Sequence, residues 1–209
     1  MPADGRRAWI APPQRVPWFL RPALWIARRM TGKNPLPGRL LAHFPKGAVG
    51  AGLFEALAAG SKDLDPRVLA AARIVASAAT GCPFCLDMNA ATWRRAGLSE
   101  GELDALVRRD TAAWTGLGLR EALAARYALA LSQTPVVVDD ALMGEVLEAF
   151  NPRELVVLAS TIAQVNYWSR FNQGLGVPSA GFFDDTGCAV CLPSTPAVDA
   201  GPRAAGHSG

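Results

Sequence analysis

The chain has 209 residues, of which half are hydrophobic and 19% are charged. That composition supports a buried core and excludes a disordered or collagen-like chain. Four cysteines are too few for a disulfide scaffold of this length. No apolar run reaches the roughly 18 residues of a membrane-spanning helix; "VPWFLRPALWIA" comes nearest and is broken by Arg21. The N-terminal stretch has no small-residue cleavage site after its apolar part, so a cytoplasmic, reducing compartment is expected.

The net charge of +3 is unevenly spread: nine of the 21 basic residues and one of the 18 acids fall within residues 1–46. A basic arm on an acidic body is expected to pack on that body or on a neighbouring subunit, and Trp9, Trp18 and Trp25 favour burial over solvation. Attraction to nucleic acid or to an anionic membrane surface is the alternative.

Residues 1–17 read as an extended, Pro- and Arg-rich arm. Residues 18–31 form a short amphipathic helix ended by "TGKNPLPG", and residues 38–60 read as helical. Asp65 caps a helix whose first position is Pro66 and which runs to Thr80. Gly81 breaks it, and Pro83 starts a new helix that continues to about Arg95. Ser99 with Glu102 three residues later is a capping box. Residues 119–132 are helical, "QTPVVV" interrupts and hints at a strand, and "DDALMGEVLEAF" resumes. "NPRELVVLASTIAQVNYWSRFNQGLG" is expected to form a further helical pair. The domain is thus all-α over residues 18–192, with a flexible tail at 193–209. A weak echo at an offset of 86 pairs Pro66, Arg67 and Leu69 with Pro152, Arg153 and Leu155. It suggests a duplicated helix-pair unit whose copies pack together.

The chemistry centres on "GCPFCLDMN", residues 81–89. Two thiols three residues apart on a helix's first turn can form a disulfide. The helix N-terminus favours thiolate over thiol, the form that attacks a peroxide or a disulfide. Structural cysteines and half of a zinc site remain the alternatives. Cys188 and Cys191 form a second pair near the tail, too distant in sequence for a zinc ribbon; a relay to the first pair or an inert role stays open. No phosphate loop, paired catalytic carboxylates, Ser/His/Asp set or two-His metal motif is present, and no metal or cofactor is expected.

"ARIVASAATGCPFCLDMNAATWRRAGLSEGEL" resembles the central helix pair of the AhpD-like alkylhydroperoxidase and carboxymuconolactone decarboxylase family. The resemblance is specific over residues 66–103, extends loosely to 176, and omits arm and tail. It implies an all-α homo-oligomer, often a trimer or hexamer. It also implies a peroxidatic Cys85 and a resolving Cys82, reducing hydroperoxides with electrons from an external dithiol or thioredoxin-like partner. The family's proton relay has a Glu twelve residues before the first cysteine and a His four after the second. Ala70 and Asn89 stand there instead. Asn89 can donate a hydrogen bond but cannot take a proton. Thiolate formation then rests on the helix terminus, worth about 0.3–1 kcal/mol, and on a cation such as Arg73, Arg126 or Arg170. Asp87 points elsewhere on the helix. His43 is a candidate replacement base. Asn166, Trp168, Arg170 and Asn172 are unusual in an apolar segment; Trp168, Arg170 and Asn166 are the candidate substrate-binding residues, Arg170 holding an anionic group. A subunit interface is the other reading of that cluster. The rival functions are a cofactor-free lyase or isomerase acting on a small organic acid, and a non-catalytic relative.

Overall fold

The computed structural model describes residues 8–33, 35–58, 62–190 and 192. Ten α-helices are present among them: α1 (Arg21–Thr31), α2 (Leu36–Leu41), α3 (Pro45–Ala58), α4 (Pro66–Thr80), α5 (Pro83–Ala90), α6 (Trp93–Ala96), α7 (Glu100–Arg108), α8 (Leu119–Leu131), α9 (Asp140–Ala149) and α10 (Pro152–Gly174). The described residues contain no strand, so the fold is all-α as expected. The Val-rich stretch before α9 carries no ladder: Val136 and Val137 are exposed and have no strand to pair with.

α4 is the hub. Val68 to Ala72 and Ile74 to Ala76 are all buried, so the helix is enclosed on almost every side. Its alanines let α8 and α10 approach closely, and α5 and α7 pack on it as well. Asp65 caps it through its carboxylate and the Arg67 N–H at 2.7 Å. α7 and α10 each begin with a complete capping box, Ser99 with Glu102 and Asn151 with Glu154. α4 and α10, whose starts share the Pro-Arg-x-Leu pattern, do pack on each other.

Three expected boundaries are corrected. The single helix over 38–60 is two, because Pro45 disfavours helical geometry at Phe44 and the chain turns at Ala42–Phe44; residues 59 and 60 lie outside the described residues. The helix expected from Pro83 to Arg95 stops at Ala90. There Thr92 Oγ1 donates to the Asn89 carbonyl at 2.8 Å and the chain restarts as α6. The helical pair expected after Asn151 is one continuous helix of 23 residues, since no Gly or Pro interrupts Arg153–Gln173. The tail at 193–209 and arm residues 1–7 lie outside the described residues.

Arg67 joins three helices. Its Nη2 donates to Glu102 Oε1 at 2.6 Å and its Nε to Glu121 Oε1 at 3.2 Å, and it also reaches the Gly97 carbonyl. The hydrogen bond with Glu102 raises the Arg67 pKa. Burial pushes the Glu102 carboxyl up, but hydrogen bonds from Ser99 and Arg67 outweigh it and hold the group below its ordinary value. A depressed carboxylate contributes stability that is present above its unfolded pKa and lost as pH falls through the folded one. Arg67→Ala is expected to cost about 1–2 kcal/mol after solvent screening. Denaturant titrations from pH 7 down to about pH 3 should show this gap narrowing below about pH 4.3, the ordinary glutamate value.

Candidate active site

Gly81 ends α4 in the left-handed region, φ 67°, and donates its N–H to Ala78. Cys82 follows in extended geometry as the N-cap of α5, Pro83 occupies the first helical position, and Cys85 falls at the third. Cys82 Sγ accepts the Cys85 N–H at 3.2 Å, the bond that a serine oxygen makes at an ordinary N-cap. The two cysteines form a disulfide with Cα atoms 5.3 Å apart, within the usual span.

Both cysteines are only 1% exposed. Leu40, Phe84 and Val177 enclose them, with Ala8, Leu36, Met88, Trp168 and Phe182 packed around. α10 supplies Trp168 and, one turn on, Asn172. Asn172 is itself 1% exposed, and its Nδ2 donates to Cys85 Sγ at 3.4 Å. Thr80 Oγ1 with Ser169 Oγ at 2.9 Å, and Gln173 Nε2 with the Thr80 carbonyl at 3.1 Å, hold the end of α4 against α10 at this level.

The segment after α10 forms the lid of this wall. Asp87, buried on the opposite side of α5, accepts from Ser179 Oγ, Ala180 N and Phe183 N at 2.7–2.8 Å. Lys33 Nζ donates to the carbonyls of Ala180 and Gly181, pairs with Asp185 at 2.9 Å and sits over the Phe182 ring. The N-terminal arm crosses the same region. Ala8 touches the thiol cluster, and the Trp9 N–H donates to Leu175 O at 2.9 Å. The Trp9 indole occupies the space where a side chain on Gly176, φ 64°, would stand.

The sequence-derived residues separate. Cys82, Cys85 and Trp168 come together. Asn89 Nδ2 donates to Ser77 Oγ at 2.9 Å, which ties α5 to α4. Asn166 and Arg170 lie on the other side of α10, because residues 166 and 170 share one face while 168 and 172 share another. They line a cavity of about 350 Å³ with Leu131, Gln133, Thr134 and Ile162. Arg170 Nη2 donates there to Thr134 Oγ1 at 2.9 Å. Arg126 pairs with Glu145, whose hydrogen bond raises its pKa, and is likewise engaged away from the thiols. His43 is exposed and its Nε2 meets the Ala11 carbonyl at 2.9 Å, so it anchors the arm. Cys188 is half-buried against the main core, and Cys191 lies outside the described residues. The described residues contain no group of three His, Cys, Asp or Glu side chains suited to a metal, and no helix long and apolar enough to cross a membrane.

Ala70, where the family's relay acid would stand, is buried. A carboxylate arrives from α3 instead: Glu55 Oε1 accepts from Trp168 Nε1. Arg73 is half-buried nearby; burial lowers its pKa, and the Glu55 charge opposes that only in part. Sequence reasoning missed three features: this Glu55–Trp168 contact, the loop held by Asp87, and the Asn172–Cys85 contact. The echo pairs Cys85 with Phe171, one position from Asn172, and was the available signal.

Residues 48–130 match the model of the carboxymuconolactone decarboxylase family. The chain is 31% identical over 176 residues to the uncharacterized protein YnjA of Escherichia coli (strain K12), covering 82% of this chain and 94% of that one. The chain belongs to the carboxymuconolactone decarboxylase family, in its AhpD-like form. The fold is shared with the debrominase Bmp8, solved as a Cys-to-Ala variant with 2,3,4-tribromopyrrole. That likeness has a TM-score of 0.74 at 19% identity, covering 88% of this chain and 97% of that one. A peroxidase-related protein from Ralstonia eutropha JMP134, described as an alkylhydroperoxidase AhpD core, shares it with a TM-score of 0.72 at 19% identity, covering 84% and 94%. Members of the carboxymuconolactone decarboxylase family are typically enzymes, and in this member the AhpD-like fold brings two cysteines to a buried helix start.

Asp87→Ala removes the acceptor for three donors and is expected to cost about 2–4 kcal/mol. In the reduced protein it should also speed alkylation of Cys85 and amide hydrogen exchange at residues 179–183, both readable by peptide mass spectrometry.

Proposed function

We propose that the protein is a thiol-dependent peroxidase or disulfide oxidoreductase that cycles Cys82 and Cys85 between dithiol and disulfide. The observation that carries this reading is the cysteine pair bonded at the first turn of α5, inside an apolar wall and beside a hydrogen-bond donor. In the reduced state, the helix terminus and that donor favour a Cys85 thiolate. The thiolate attacks the terminal oxygen of a hydroperoxide, the O–O bond breaks, and the alcohol leaves after taking a proton from solvent. Cys85 becomes a sulfenic acid. The Cys82 thiol then attacks the Cys85 sulfur, a disulfide forms and water leaves. An external dithiol, such as a thioredoxin-like protein in a reducing cytoplasm, restores both thiols by exchange. Trp168 serves as a wall of the site, and Asn89 positions α5 on α4 through Ser77.

The wall of Phe84, Trp168, Phe182 and Val177 favours an organic hydroperoxide with an apolar group over hydrogen peroxide. Cys85→Ser should abolish steady-state reduction of cumene hydroperoxide with a dithiol. Cys82→Ser should allow one turnover and leave a Cys85 sulfenic acid that a dimedone-type reagent traps. A bromopyrrole belongs in the same assay, since aromatic walls around a dithiol also suit the ligand class of the debrominase neighbour.

A second reading rests on the cavity at Arg170 and Asn166: a small organic acid held there for lyase or isomerase chemistry. Activity towards such an acid that persists in Cys85→Ser and is lost in Arg170→Ala would replace the thiol reading.

A homo-oligomer, trimer or hexamer, is part of the proposal. Trp18, Phe19, Trp25 and Ile26 in the first helical segment, and Leu53 and Phe54 on α3, expose apolar side chains, Trp18 at 78% and Trp25 at 65%. Such a surface suits burial against a second copy. Trp25→Glu combined with Leu53→Glu should reduce the assembly to monomers in light scattering, with the helical circular dichroism retained.

A further inference from the structure

The geometry points to Asn172 as a catalytic residue of this site: its Nδ2 steadies the Cys85 thiolate, and its Oδ1 receives the O–H of the incoming hydroperoxide. The assignment rests on the peroxidase reading and supplies what the missing relay leaves open.

Asn172 is among the most deeply buried polar side chains of the protein. Its Nδ2 donates to Cys85 Sγ at 3.4 Å. A disulfide sulfur and a thiolate carry no proton and can only accept, so the amide must turn its NH2 to the sulfur. Its Oδ1 is buried and has no hydrogen-bond partner among the described residues. Buried amide oxygens are nearly always paired, and this one lies beside the sulfur that would react. A hydroperoxide has one O–H donor, on the oxygen that a thiolate attacks. Bound to Oδ1, that oxygen sits next to Cys85 Sγ, and the hydrogen stays on it when it becomes the sulfenic hydroxyl. No proton passes through Asn172, as an amide requires. The alkoxide leaving group takes a proton from solvent, balancing the one lost when Cys85 ionised.

Most charged groups on the surrounding elements are engaged elsewhere. Asp87 on α5 holds the 179–183 segment, and Glu55 on α3 accepts from Trp168. Lys33 binds Ala180, Gly181 and Asp185, and His43 binds Ala11. Arg170 turns to Thr134 on the far face of α10. Arg39 on α2 and Arg73 on α4 are half-buried, and among the described residues neither has a hydrogen bond to a sulfur. Among the described residues, Asn172 and the Cys85 N–H are the donors that meet the pair.

The test uses the full chain, reduced, with Cys85 alkylation by iodoacetamide followed against pH by peptide mass spectrometry. Asn172→Leu should raise the midpoint by about one pH unit or more. Asn172→Asp should raise it further, because its carboxylate faces the thiolate. The second arm is run at a pH above every midpoint, where Cys85 is fully ionised. Asn172→Leu should still reduce cumene hydroperoxide at least about tenfold more slowly than wild type while reacting equally with iodoacetamide, which needs no acceptor for an O–H. Unchanged midpoints, or equal peroxide rates at that pH, overturn the assignment. Should the variants not fold, the Asn172 side-chain amide signals of the wild type decide by NMR: they must titrate with the Cys85 midpoint, and signals insensitive to it overturn the proposal. A wild type without peroxide turnover defeats the peroxidase reading, while the alkylation midpoints still decide the thiolate role. A wild type with turnover whose Asn172 variants match it defeats only the Asn172 assignment.

Discussion

The site depends on one interruption of the backbone. Gly81 takes a left-handed conformation that ends α4, Cys82 is extended, and Pro83 restarts the helix without needing an amide hydrogen. Those three residues put one sulfur at the N-cap and the other on the first helical turn, where unpaired N–H groups gather. The corresponding stretch of α10 has Tyr167 and Ser169 in place of Gly81 and Pro83, and the helix runs through unbroken. The contrast between two helices with similar starts shows how little sequence separates a structural rod from a thiol site.

Burial then determines what the pair can do. Two sulfurs at an open helix start would meet any thiol or oxidant. Here α2, α10, the 175–183 segment and the arm close around them. Low dielectric strengthens each hydrogen bond that reaches a sulfur and penalises a bare thiolate, so the few donors present carry the weight. The lid is held by Asp87 at Ser179, Ala180 and Phe183 and by Lys33 at the Ala180 and Gly181 carbonyls between them. These contacts turn both side chains to the segment and not to the cysteines.

The residues of the family relay are replaced in type. Ala70 fills the place of an acid, and Asn89 binds Ser77. A glutamate does reach this part of the molecule, but from α3, where it pairs with the Trp168 indole near Arg73. A long α10 brings polar side chains to both of its faces, and the polar character of "VNYWSRFN" has two separate meanings. One face closes the thiol site, and the other opens onto the Arg170 cavity.

Helix starts were legible in the sequence because capping and proline geometry act within four residues: Asp65–Pro66, Ser99 with Glu102, and Asn151–Pro152 stand where local chemistry puts them. The Cys82–Pro83–Cys85 turn was legible for the same reason, as was the all-α class from helical periodicity. Helix ends were less so, since periodicity records neither the Thr92 hydroxyl turning to the Asn89 carbonyl nor the restriction Pro45 places on Phe44. Which polar residues meet was settled only by the packing of α10 against α4 and α5. Asn172 and Cys85 are 87 residues apart, and Asp87 meets its partners across more than 90. Hydrogen bonds over such distances follow from how helices dock, which depends on the summed shape of many side chains and not on any local pattern.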